Sequence, residues 1–581
     1  MFADEVINTL LDNPKITDVV ELSFTSYHKV DYECLISCSF TIAHQKIHVY
    51  IGVPSNWDLA LFDVYIVGFM DFPYIPHIDF RSGKLCLFEL EGVLIDTDFS
   101  GLLVCCISRA FQMLSDGLLH KNKQEFIREF ELYWKNLPGI GLIKCDIACR
   151  IECQSIKFIQ QTDNNAQGVG SGSYKKNNDI GLYFAASNPD GFNAWGVRGS
   201  QHNGIALYFH AYSEIYPPDC RQALEVEFIN NLLSFVPVNK YPNDCLKIIC
   251  KSDRVRLFLF QIEQPDGTMT GIGIVLKNAS ISNVNGRFQI IYDNTLKITP
   301  LSLQRVDKAF LMNRTKSESI SSKMKCLLIG CGSIGGYLAN ELISAGFDDI
   351  TFVDDDSLKE ENIYRHILGS DYIDINKANA LERYFKKRIP HLITHAKGVD
   401  IRQLIEDSVI DFDDYDLILS ATGNHNVNRW INKEVHFRDI DVPVFYVWNE
   451  PLDIGCHAAV ISASYDGCYE CFFTHSIYTL IDSTAYTAPG ETAVTTPAGC
   501  GGSYVPYSAS VSIRSASLCM DLITRYLDGR CKSNVLVSMK GDGYYFTNAG
   551  LSVTDVYRNQ HDKIYMKEIR DFNNGECEVC K

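Results

Sequence analysis

The sequence predicts a multidomain protein of mixed α/β and α+β class, and three observations carry this prediction. An apolar strand that begins at Met324 leads into a Gly-x-Gly-x-x-Gly turn and an amphipathic helix, which is typical of a Rossmann-like parallel sheet. The first third of the chain reads instead as a helix followed by an antiparallel meander. Two Cys-x-x-Cys pairs near the C-terminus are typical of a metal-stabilised segment. A chain of 581 residues has room for about three or four domains, and we expect three, at residues 1–150, 151–315 and 316–581.

Composition and charge exclude several classes of function. A net charge of −18 disfavours a nucleic-acid partner, because binding a phosphate backbone takes positive charge. No run approaches the roughly 20 apolar residues that a membrane helix needs. The start of the chain lacks the basic and apolar parts of a signal peptide, and 21 cysteines without secretion indicate a reducing compartment. We therefore expect a cytoplasmic protein that binds neither nucleic acid nor membrane.

The glycine turn predicts a nucleotide site. Gly330, Gly332 and Gly335 form the turn, where glycines let the backbone approach a phosphate and the following helix offers free N–H groups. A second strand, residues 350–353, ends at Asp354, and an acidic residue in that position can bind a ribose. By themselves these residues predict a bound nucleotide and leave its reaction open.

The residues that follow narrow this prediction to a triphosphate. Asn362, Arg365 and Lys377 come after the second strand, and an Arg and a Lys near a glycine turn suit multidentate neutralisation of a triphosphate. The pattern resembles the adenylation domain of ubiquitin-activating enzymes and of their ThiF- and MoeB-type bacterial relatives, which activate sulfur-carrier proteins. The resemblance implies that Asp354 holds the ribose of ATP, that the three later residues hold its phosphates, and that a C-terminal carboxylate reacts to give an acyl-adenylate and pyrophosphate. An NAD-binding unit with a coincidental basic loop is the alternative.

The expected magnesium site departs from that family's pattern. Residues 415–424 match its Cys-Thr-Asp-Asn region, but Gly423 stands where a magnesium-associated Asp is usual. Mg²⁺ is commonly bound through one or two carboxylates together with phosphates and waters. We therefore expect Mg²⁺ to be held by Asp356 or Asp416, or mainly by the triphosphate and water.

Four cysteines near the C-terminus predict a structural Zn²⁺ site. They form two Cys-x-x-Cys pairs, Cys468 with Cys471 and Cys577 with Cys580. Each pair can grip one side of a tetrahedral zinc, and two pairs complete a closed site. The activating family carries the same two knuckles after its adenylation core. A redox pair is the alternative, but it would need only one of them.

Another cysteine lies between the two pairs. Cys500 stands in a loop rich in Gly, Pro and Thr before a helical run at residues 509–526, and a helix N-terminus stabilises a thiolate. In the activating-enzyme family this crossover loop carries the thioester-forming cysteine, so the resemblance implies that role for Cys500. The alternative is a small residue packed in a tight turn. Cys105, Cys106 and Cys519 fall in apolar helical runs and are expected to be inert core residues.

The N-terminal residues predict a separate domain with its own cysteine. A helix and three strands are expected at residues 2–12, 19–26, 32–43 and 46–53. A flap with Pro76 and His77, then Cys86 and two apolar helical segments follow, in an order that resembles the ubiquitin-conjugating (UBC) enzymes. The resemblance implies that Cys86 carries a thioester. It also places His77 near the oxyanion position usually held by Asn, where a neutral imidazole N–H can donate. A plain strand cysteine is the alternative.

The two resemblances together predict the reaction. An activating domain makes a thioester and a conjugating domain accepts one, and fusing them makes the handover intramolecular. The arrangement resembles bacterial fusions of the two domains, in particular the ligase-like component of CBASS antiphage operons. It implies an ATP-dependent E1/E2-like enzyme of antiviral defence, which carries the C-terminal glycine of a cGAS-like nucleotidyltransferase on Cys500 and then Cys86 and joins it to an acceptor amine. A sulfur-carrier adenylyltransferase and a catalytically inactive scaffold are the alternatives.

The middle region offers no recognisable chemistry. Its strand-like and helical runs lie at residues 256–262, 271–276 and 220–235. They predict a folded connector, with a degenerate nucleotide-binding-like unit as one option. Residues 305–314 predict a short amphipathic helix. Dimers of the activating family often place an arginine of such a helix into the partner's ATP site, so the resemblance implies a homodimer with Arg305 or Arg314 in this role; a solvated helix face is the alternative.

Overall fold

The computed structural model divides into two compact units, Met1–Leu311 and Met312–Lys581. The residues it describes are 2–42, 44–88, 98–161, 182–187, 189–236, 255–285, 287–312, 324–475, 480–491, 493, 504–573, 575 and 577–580. No helix within these ranges is long and apolar enough to cross a membrane.

The first unit begins with a helix and an antiparallel sheet. Helix α1 (Phe2–Leu11) buries Val6 and Leu10, which lie one turn apart on the same face. The strands are β1 (Ile16–Glu21), β2 (Ser26–Tyr27), β3 (Val30–Asp31), β4 (Cys34–Ile42), β5 (Gln45–Val53), β6 (Asp63–Ile66), β7 (Ile78–Asp79) and β8 (Lys84–Leu85). The sheet has the order β1-β4-β5-β6-β8-β7, beside a β2–β3 ribbon. The expected helix and strands are present, although the first strand, expected at residues 19–26, runs from Ile16 to Glu21, and Ser26–Tyr27 belongs to the separate ribbon.

A long helix packs against this sheet. Helix α2 (Phe99–Leu118) follows Asp98, whose carboxylate accepts the Gly101 amide at 3.1 Å, as an N-cap does. Cys106 is buried, whereas Cys105 is exposed. The expectation of a core position is therefore wrong for Cys105, because successive helical residues point about 100° apart.

Two short helices lead from the sheet to a β-barrel. Helices α3 (Glu125–Arg128) and α4 (Phe130–Trp134) bring Phe130 and Trp134 into the barrel core, where the indole N–H of Trp134 donates to the Leu301 carbonyl at 2.9 Å. The barrel strands are β9 (Gly141–Asp146), β10 (Cys153–Gln161), β11 (Leu182–Ala186), β12 (His202–His210), β13 (Val255–Glu263), β14 (Met269–Val284) and β15 (Arg287–Arg305). They close in the order β10-β11-β9-β15-β14-β13-β12.

The barrel corrects two expectations for the middle region. A closed barrel is not a nucleotide-binding-like sheet, so that option is wrong. Among the described residues of this region, the helices are α5 (Pro189–Ala194), α6 (Val226–Ser234) and α7 (Lys308–Met312). The run expected to be helical from residue 220 becomes helical only at Val226, because Cys220 is buried in the core of the N-terminal sheet domain. The short helix expected in residues 305–314 is α7.

The second unit is built on an eight-stranded sheet. The strands of this sheet are β16 (Lys325–Ile329), β17 (Asp349–Val353), β18 (Ile393–Lys397), β19 (Leu417–Ser420), β20 (Val444–Asn449), β21 (Gly455–Ile461), β24 (Val535–Lys540) and β25 (Ile564–Glu568). A separate two-stranded ribbon consists of β22 (Phe473–His475) and β23 (Leu480–Asp482). The order is β18-β17-β16-β19-β20-β21-β24-β25, parallel from β18 to β20 and antiparallel beyond. Since β16 lies between β17 and β19, the glycine turn stands at a topological switch point, where ligands of such sheets bind.

Helices cover both faces of this sheet. They are α8 (Ser333–Ser344), α9 (Lys377–Arg388), α10 (Ile401–Glu406), α11 (His425–Phe437), α12 (Ala509–Leu527), α13 (Tyr544–Asn548) and α14 (Asp555–Asn559). Short 3₁₀ turns occur at Glu360–Asn362, Ser370–Tyr372, Phe412–Asp414, Pro451–Asp453, Tyr469–Phe472 and Ile569–Phe572. Helix α12 matches the helical run expected from the sequence, and Cys519 on it is buried, as expected.

Candidate functional site

The glycine turn joins β16 to α8. Gly330 has a φ of +88°, and a Cβ there would lie 2.7 Å from the carbonyl carbon of Ala421. A Cβ on Gly335 would lie 1.9 Å from the carbonyl oxygen of Gly330, whereas a Cβ on Gly332 would meet nothing within 4 Å. Packing therefore requires two of the predicted glycines, and the third borders open space at the N-terminus of α8.

A cleft of about 480 Å³ lies beside this turn, within the size range of small-molecule sites. Its lining includes Gly330, Gly332, Asp354 and Lys377 from the predicted set. The amides at the N-terminus of α8 and the ammonium of Lys377 give the cleft groups that bind anions. The cleft thus brings together a phosphate-binding turn, a cation and the predicted ribose carboxylate.

Asp354 is held rigidly beside the glycine turn. Its carboxylate accepts the Cys331 amide at 2.6 Å and the Asp356 amide at 2.9 Å. Burial raises the pKa of Asp354 above its ordinary value, although these amides and Lys377 oppose the rise. These two hydrogen bonds from backbone amides hold the Asp354 carboxylate at the end of β17, where a ribose is expected.

Lys377 is the first residue of α9. Its ammonium is paired with the Asp356 carboxylate. Burial opposes ionisation of Asp356, but the bond and charge of Lys377 outweigh it, so the pKa of Asp356 lies below its ordinary value. The pair fixes the position of the Lys377 ammonium at the cleft wall.

Arg365 and Asn362 do not line the cleft directly. The Arg365 guanidinium lies 4.7 Å from the ring centroid of Tyr507, and Tyr507 is a lining residue. The side-chain oxygen of Asn362 accepts the Lys359 amide at 3.1 Å. Arg365 therefore contacts a residue of the cleft wall, Tyr507, rather than the cleft itself. Asn362 forms a hydrogen bond within the loop that carries Arg365.

Sequence reasoning missed three groups at this site. Tyr507 carried no signal, because it reaches the cleft from a segment far along the chain. Asp400 and Arg402 also line the cleft and pair with each other at 2.7 Å. They follow β18, and the rule that ligands bind at the carboxyl ends of parallel strands could have found them.

A buried histidine braces the loop against the glycine turn. His366 donates from Nε2 to the Cys331 carbonyl at 2.8 Å, and its Nδ1 accepts the Leu368 amide at 3.1 Å. Burial lowers the pKa of His366 to about 4. The imidazole is therefore neutral near pH 7, and it fixes the backbone next to Arg365.

The carboxylates proposed for Mg²⁺ lie at different edges of the sheet. Asp416 stands at the amino end of β19 and accepts the Lys325 amide at 2.7 Å, on the edge away from the glycine turn. Asp356 lines the cleft. Gly423 has a φ of +64° with open space around its Cβ position. Of the two candidates, only Asp356 is placed to reach a metal on a bound triphosphate, and carboxylate oxygen is a ligand type that Mg²⁺ uses.

The four predicted metal-binding cysteines form one cluster. The sulfur of Cys468 lies 4.0 Å from that of Cys471 and 3.6 Å from that of Cys577, and the sulfurs of Cys471 and Cys580 are 3.5 Å apart. All four ligand atoms lie within 4.8 Å of one another. Zinc–sulfur bonds of about 2.3 Å in a tetrahedron place sulfurs about 3.8 Å apart. The cluster therefore fits a structural zinc.

Cys86 follows β8 and is exposed. Its amide donates to the His77 carbonyl at 2.9 Å. Although the residue is exposed, partial desolvation raises the pKa of its thiol, and the carboxylates of Glu129 and Asp79 raise it further. The cysteine is accessible to another protein, and its thiolate forms less readily than that of a free cysteine.

His77 lies in a cluster of acidic groups. Its Nε2 is 2.7 Å from Glu125 and its Nδ1 is 2.9 Å from Glu129, while its amide donates to the Tyr133 hydroxyl at 2.7 Å. Burial lowers the pKa of His77, but the two glutamates outweigh burial and raise it overall. Both ring nitrogens therefore face glutamate carboxylates, whereas the sequence predicted a neutral imidazole N–H that donates at the oxyanion position. Its catalytic role stays a prediction.

Some predicted residues cannot be placed. Cys500 and Arg314 lie outside the described residues. Arg305 binds Asp307 through two bonds of 2.9 Å and lies 4.8 Å from the Phe310 ring. Its guanidinium is therefore already engaged within its own chain.

Two family models match this chain, one over the part that contains the cleft and one over the part that contains Cys86. Residues 308–541 match the ThiF family, and residues 15–138 match the Prokaryotic E2 family B. A solved structure of Escherichia coli MccB with MccA is similar at a TM-score of 0.33 and 16% identity, over 45% of this chain and 67% of that one.

Curated relatives extend over most of the chain. The ATP-dependent ubiquitin transferase-like protein Cap2 of Pseudomonas aeruginosa is 31% identical over 78% of this chain and 80% of its own length. The Cap2 protein of Vibrio cholerae is 24% identical over 54% of this chain and 56% of its own. Because the Pseudomonas relative is 31% identical over more than two thirds of both chains, the chain belongs to the Cap2 family of ATP-dependent ubiquitin transferase-like proteins, and the two family models place an E2-like domain ahead of a ThiF-type adenylation domain.

Proposed function

We propose that the protein is an ATP-dependent E1/E2-like conjugating enzyme, which adenylates the C-terminal carboxylate of a partner protein and joins it through thioesters to an acceptor amine. The observation that carries this proposal is the occurrence in one chain of a phosphate-binding cleft and an exposed Cys86 in a domain that matches the E2 model. An adenylation site alone would need no such cysteine.

In the first step, ATP binds in the cleft with its phosphates at the N-terminus of α8. Asp354 accepts hydrogen bonds from the ribose, and Lys377 exchanges Asp356 for a phosphate oxygen. The substrate carboxylate attacks the α-phosphorus and pyrophosphate leaves, while Lys377 neutralises the developing charge and Arg365, which contacts the Tyr507 ring, adds positive charge near the cleft. Mg²⁺, when bound, supplies further neutralisation of the phosphates, with Asp356 as the protein ligand.

Two thiols then carry the acyl group. The Cys500 thiolate attacks the carbonyl of the acyl-adenylate and AMP leaves. The Cys86 thiolate attacks the resulting thioester and releases Cys500. An acceptor amine attacks the Cys86 thioester, an amide forms, and Cys86 leaves as a thiolate. The two thioesters are nearly equal in energy, so the amide step gives the sequence its direction.

The proposed substrate is a protein that ends in a glycine-type tail. The resemblance to CBASS fusions makes a cGAS-like nucleotidyltransferase the first candidate, with the acceptor amine on another protein. We also propose that Zn²⁺ occupies the four-cysteine cluster as a structural ion and that the enzyme works as a homodimer. The proposal that ATP binds in the cleft does not depend on the identity of the substrate or the acceptor, on Zn²⁺ or on a second copy of the chain.

The experiment combines the purified protein, ATP and a cGAS-like nucleotidyltransferase that ends in a glycine-type tail. We expect ATP–pyrophosphate exchange and an adduct that dithiothreitol releases, mapped to Cys86 by peptide mass spectrometry. Cys86→Ala should keep the exchange and lose the Cys86 adduct. Cys105→Ala, which removes an exposed thiol of the same domain, should behave as the wild type.

The outcome separates the alternatives. Exchange without any cysteine adduct would favour a sulfur-carrier adenylyltransferase. Neither exchange nor adduct, with ATP bound and the protein folded, would favour a scaffold. Either result would overturn the proposal.

A further inference from the structure

The barrel half of the first unit sends one segment into the E2-like domain. This segment joins β12 to α6, and its Cys220 is buried in the core of the E2-like domain. The Tyr74 hydroxyl, on the flap that precedes Cys86, donates to the Pro218 carbonyl at 3.0 Å. The E2 family model ends at residue 138, so this segment is an addition from outside that domain.

Arg221 makes the most contacts in this segment. Its Nη1 donates to the Met70 carbonyl at 2.8 Å and to the Phe72 carbonyl at 2.7 Å. The edge of the guanidinium that carries Nε and Nη2 binds the Asp219 carboxylate, with donor–acceptor distances of 2.9 Å and 2.6 Å. The guanidinium carbon also lies 4.8 Å from the ring centroid of Phe80. Arg221 thus contacts the start of the flap at residues 70–72, the end of the flap at Phe80, and its own segment at Asp219.

The flap connects this anchor to Cys86. The Tyr74 ring stacks on Phe126 at 4.9 Å and contacts Tyr133 at 5.8 Å. Tyr133 accepts the His77 amide at 2.7 Å, and the His77 carbonyl accepts the Cys86 amide at 2.9 Å. The guanidinium carbon of Arg221 lies 5.7 Å from the Tyr74 ring centroid, so the contacts from Arg221 to Cys86 are continuous.

We infer that Arg221 is a positioning residue for transfer at Cys86, supplied by the barrel, so that the middle region is a working part of the conjugation site. The inference rests on the proposed function, because it takes Cys86 as the transfer cysteine. Arginine suits this place because its planar fork donates in several fixed directions while its face packs on aromatic rings, and lysine can do neither. Misplacement of a reacting group by about 1 Å costs up to about a hundredfold in rate.

The test compares Arg221→Lys with the wild type and with Arg198→Lys, which changes an exposed arginine of the same half. Discharge of the Cys86 thioester to an added amine is measured in a single turnover, beside ATP–pyrophosphate exchange. We expect Arg221→Lys to slow discharge about tenfold to a hundredfold and to leave exchange unchanged, because the nucleotide cleft lies in the second unit. Arg198→Lys should match the wild type in both.

A second measurement stays informative if the proposed function fails. The rate at which iodoacetamide modifies Cys86 is followed against pH by peptide mass spectrometry, with exposed Cys105 as the internal reference. The charged groups that face Cys86 are Glu129, Asp79 and Lys84, so a displaced flap should shift the Cys86 profile and leave that of Cys105 in place. This readout needs neither ATP nor a substrate.

The outcomes decide the inference in each case. Slowed discharge together with a shifted profile supports it, as does a shifted profile alone if no thioester ever forms on Cys86, a result that would refute only the proposed function. Unchanged discharge and profile in Arg221→Lys would overturn it, even if the melting temperature fell. If that variant does not fold, Tyr74→Phe, which removes the hydroxyl that binds Pro218 and keeps the ring, takes its place under the same criteria.

Discussion

At the scale of single residues, the cleft separates glycines that the fold needs from a glycine that a ligand needs. We expect Gly335→Ala to destabilise the protein by about 1 to 3 kcal/mol and to abolish ATP binding, because its Cβ would lie 1.9 Å from the Gly330 carbonyl oxygen. Gly332→Ala should keep the melting temperature and weaken only ATP binding, since its Cβ enters open space where a phosphate is expected. Differential scanning fluorimetry and calorimetric titration with ATP measure the two effects. Equal losses of stability in both variants would contradict this division.

Tyr507 is the residue through which Arg365 reaches the cleft. A guanidinium over an aromatic face contributes about 0.5 to 2 kcal/mol, so we expect Tyr507→Leu to raise the KM for ATP in pyrophosphate exchange by about threefold to thirtyfold. Tyr507→Phe keeps the ring and should stay close to the wild type. An equal effect of both substitutions would show that the hydroxyl, rather than the ring, matters.

His77 and its glutamates make the stability of the E2-like domain depend on pH. The pKa of His77 is raised above its ordinary value of 6.5, so its contribution is fully present below that value and is lost as the pH rises through the folded-state pKa. The pKa of Glu129 is lowered from 4.5, so its contribution is lost as the pH falls through its folded-state value. We expect maximal stability between these limits and a flatter alkaline side in His77→Gln, measured by thermal unfolding. An unchanged alkaline slope in that variant would contradict the assignment.

At the scale of secondary-structure elements, the cysteine cluster joins a 3₁₀ turn to the end of the chain. Cys468 directly precedes the turn at Tyr469–Phe472 and Cys471 lies within it, and the other pair is Cys577 and Cys580. Because structural zinc contributes directly to folding, we expect the wild type to contain about one zinc and Cys577→Ser to release it with a lower melting temperature. Cys531→Ser, which changes a buried cysteine outside the cluster, should retain the metal. Folded wild-type protein without zinc would refute the site.

The elements also show which features local sequence could predict. The glycine turn, the Cys-x-x-Cys pairs and helix α12 were predictable because each is written in consecutive residues with a definite physical demand. The barrel was not, because its strands pair across loops and mix parallel with antiparallel neighbours, which no local periodicity records. Tyr507 and Arg221 were missed for the same reason, since each acts on a segment distant in sequence.

At the scale of the whole molecule, the two proposed reactive centres lie in two separate units. The cleft is in the second unit, and Cys86 is in the first. Linking them raises the effective concentration of one toward the other, to the millimolar range for a suitable linker. The sequence predicted both centres because each resembles an enzyme that works alone. It could not predict the contribution of the barrel to the second centre, because that contribution is a tertiary contact.

The order in which the two thiols carry the acyl group follows from the positions of the two cysteines in the chain. Cys500 is close in sequence to the adenylation core, whereas Cys86 can only receive an acyl group already activated, so we expect Cys500 to be charged first. Cys86→Ala should accumulate a thioester on Cys500, and Cys500→Ala should keep ATP–pyrophosphate exchange while leaving Cys86 uncharged. Non-reducing electrophoresis with and without dithiothreitol, followed by peptide mapping, distinguishes the two adducts. Cys105→Ala serves as the control for loss of an exposed thiol. A thioester on Cys86 in the Cys500→Ala protein would mean that Cys86 takes the acyl group directly from the adenylate, and the proposed relay would be wrong.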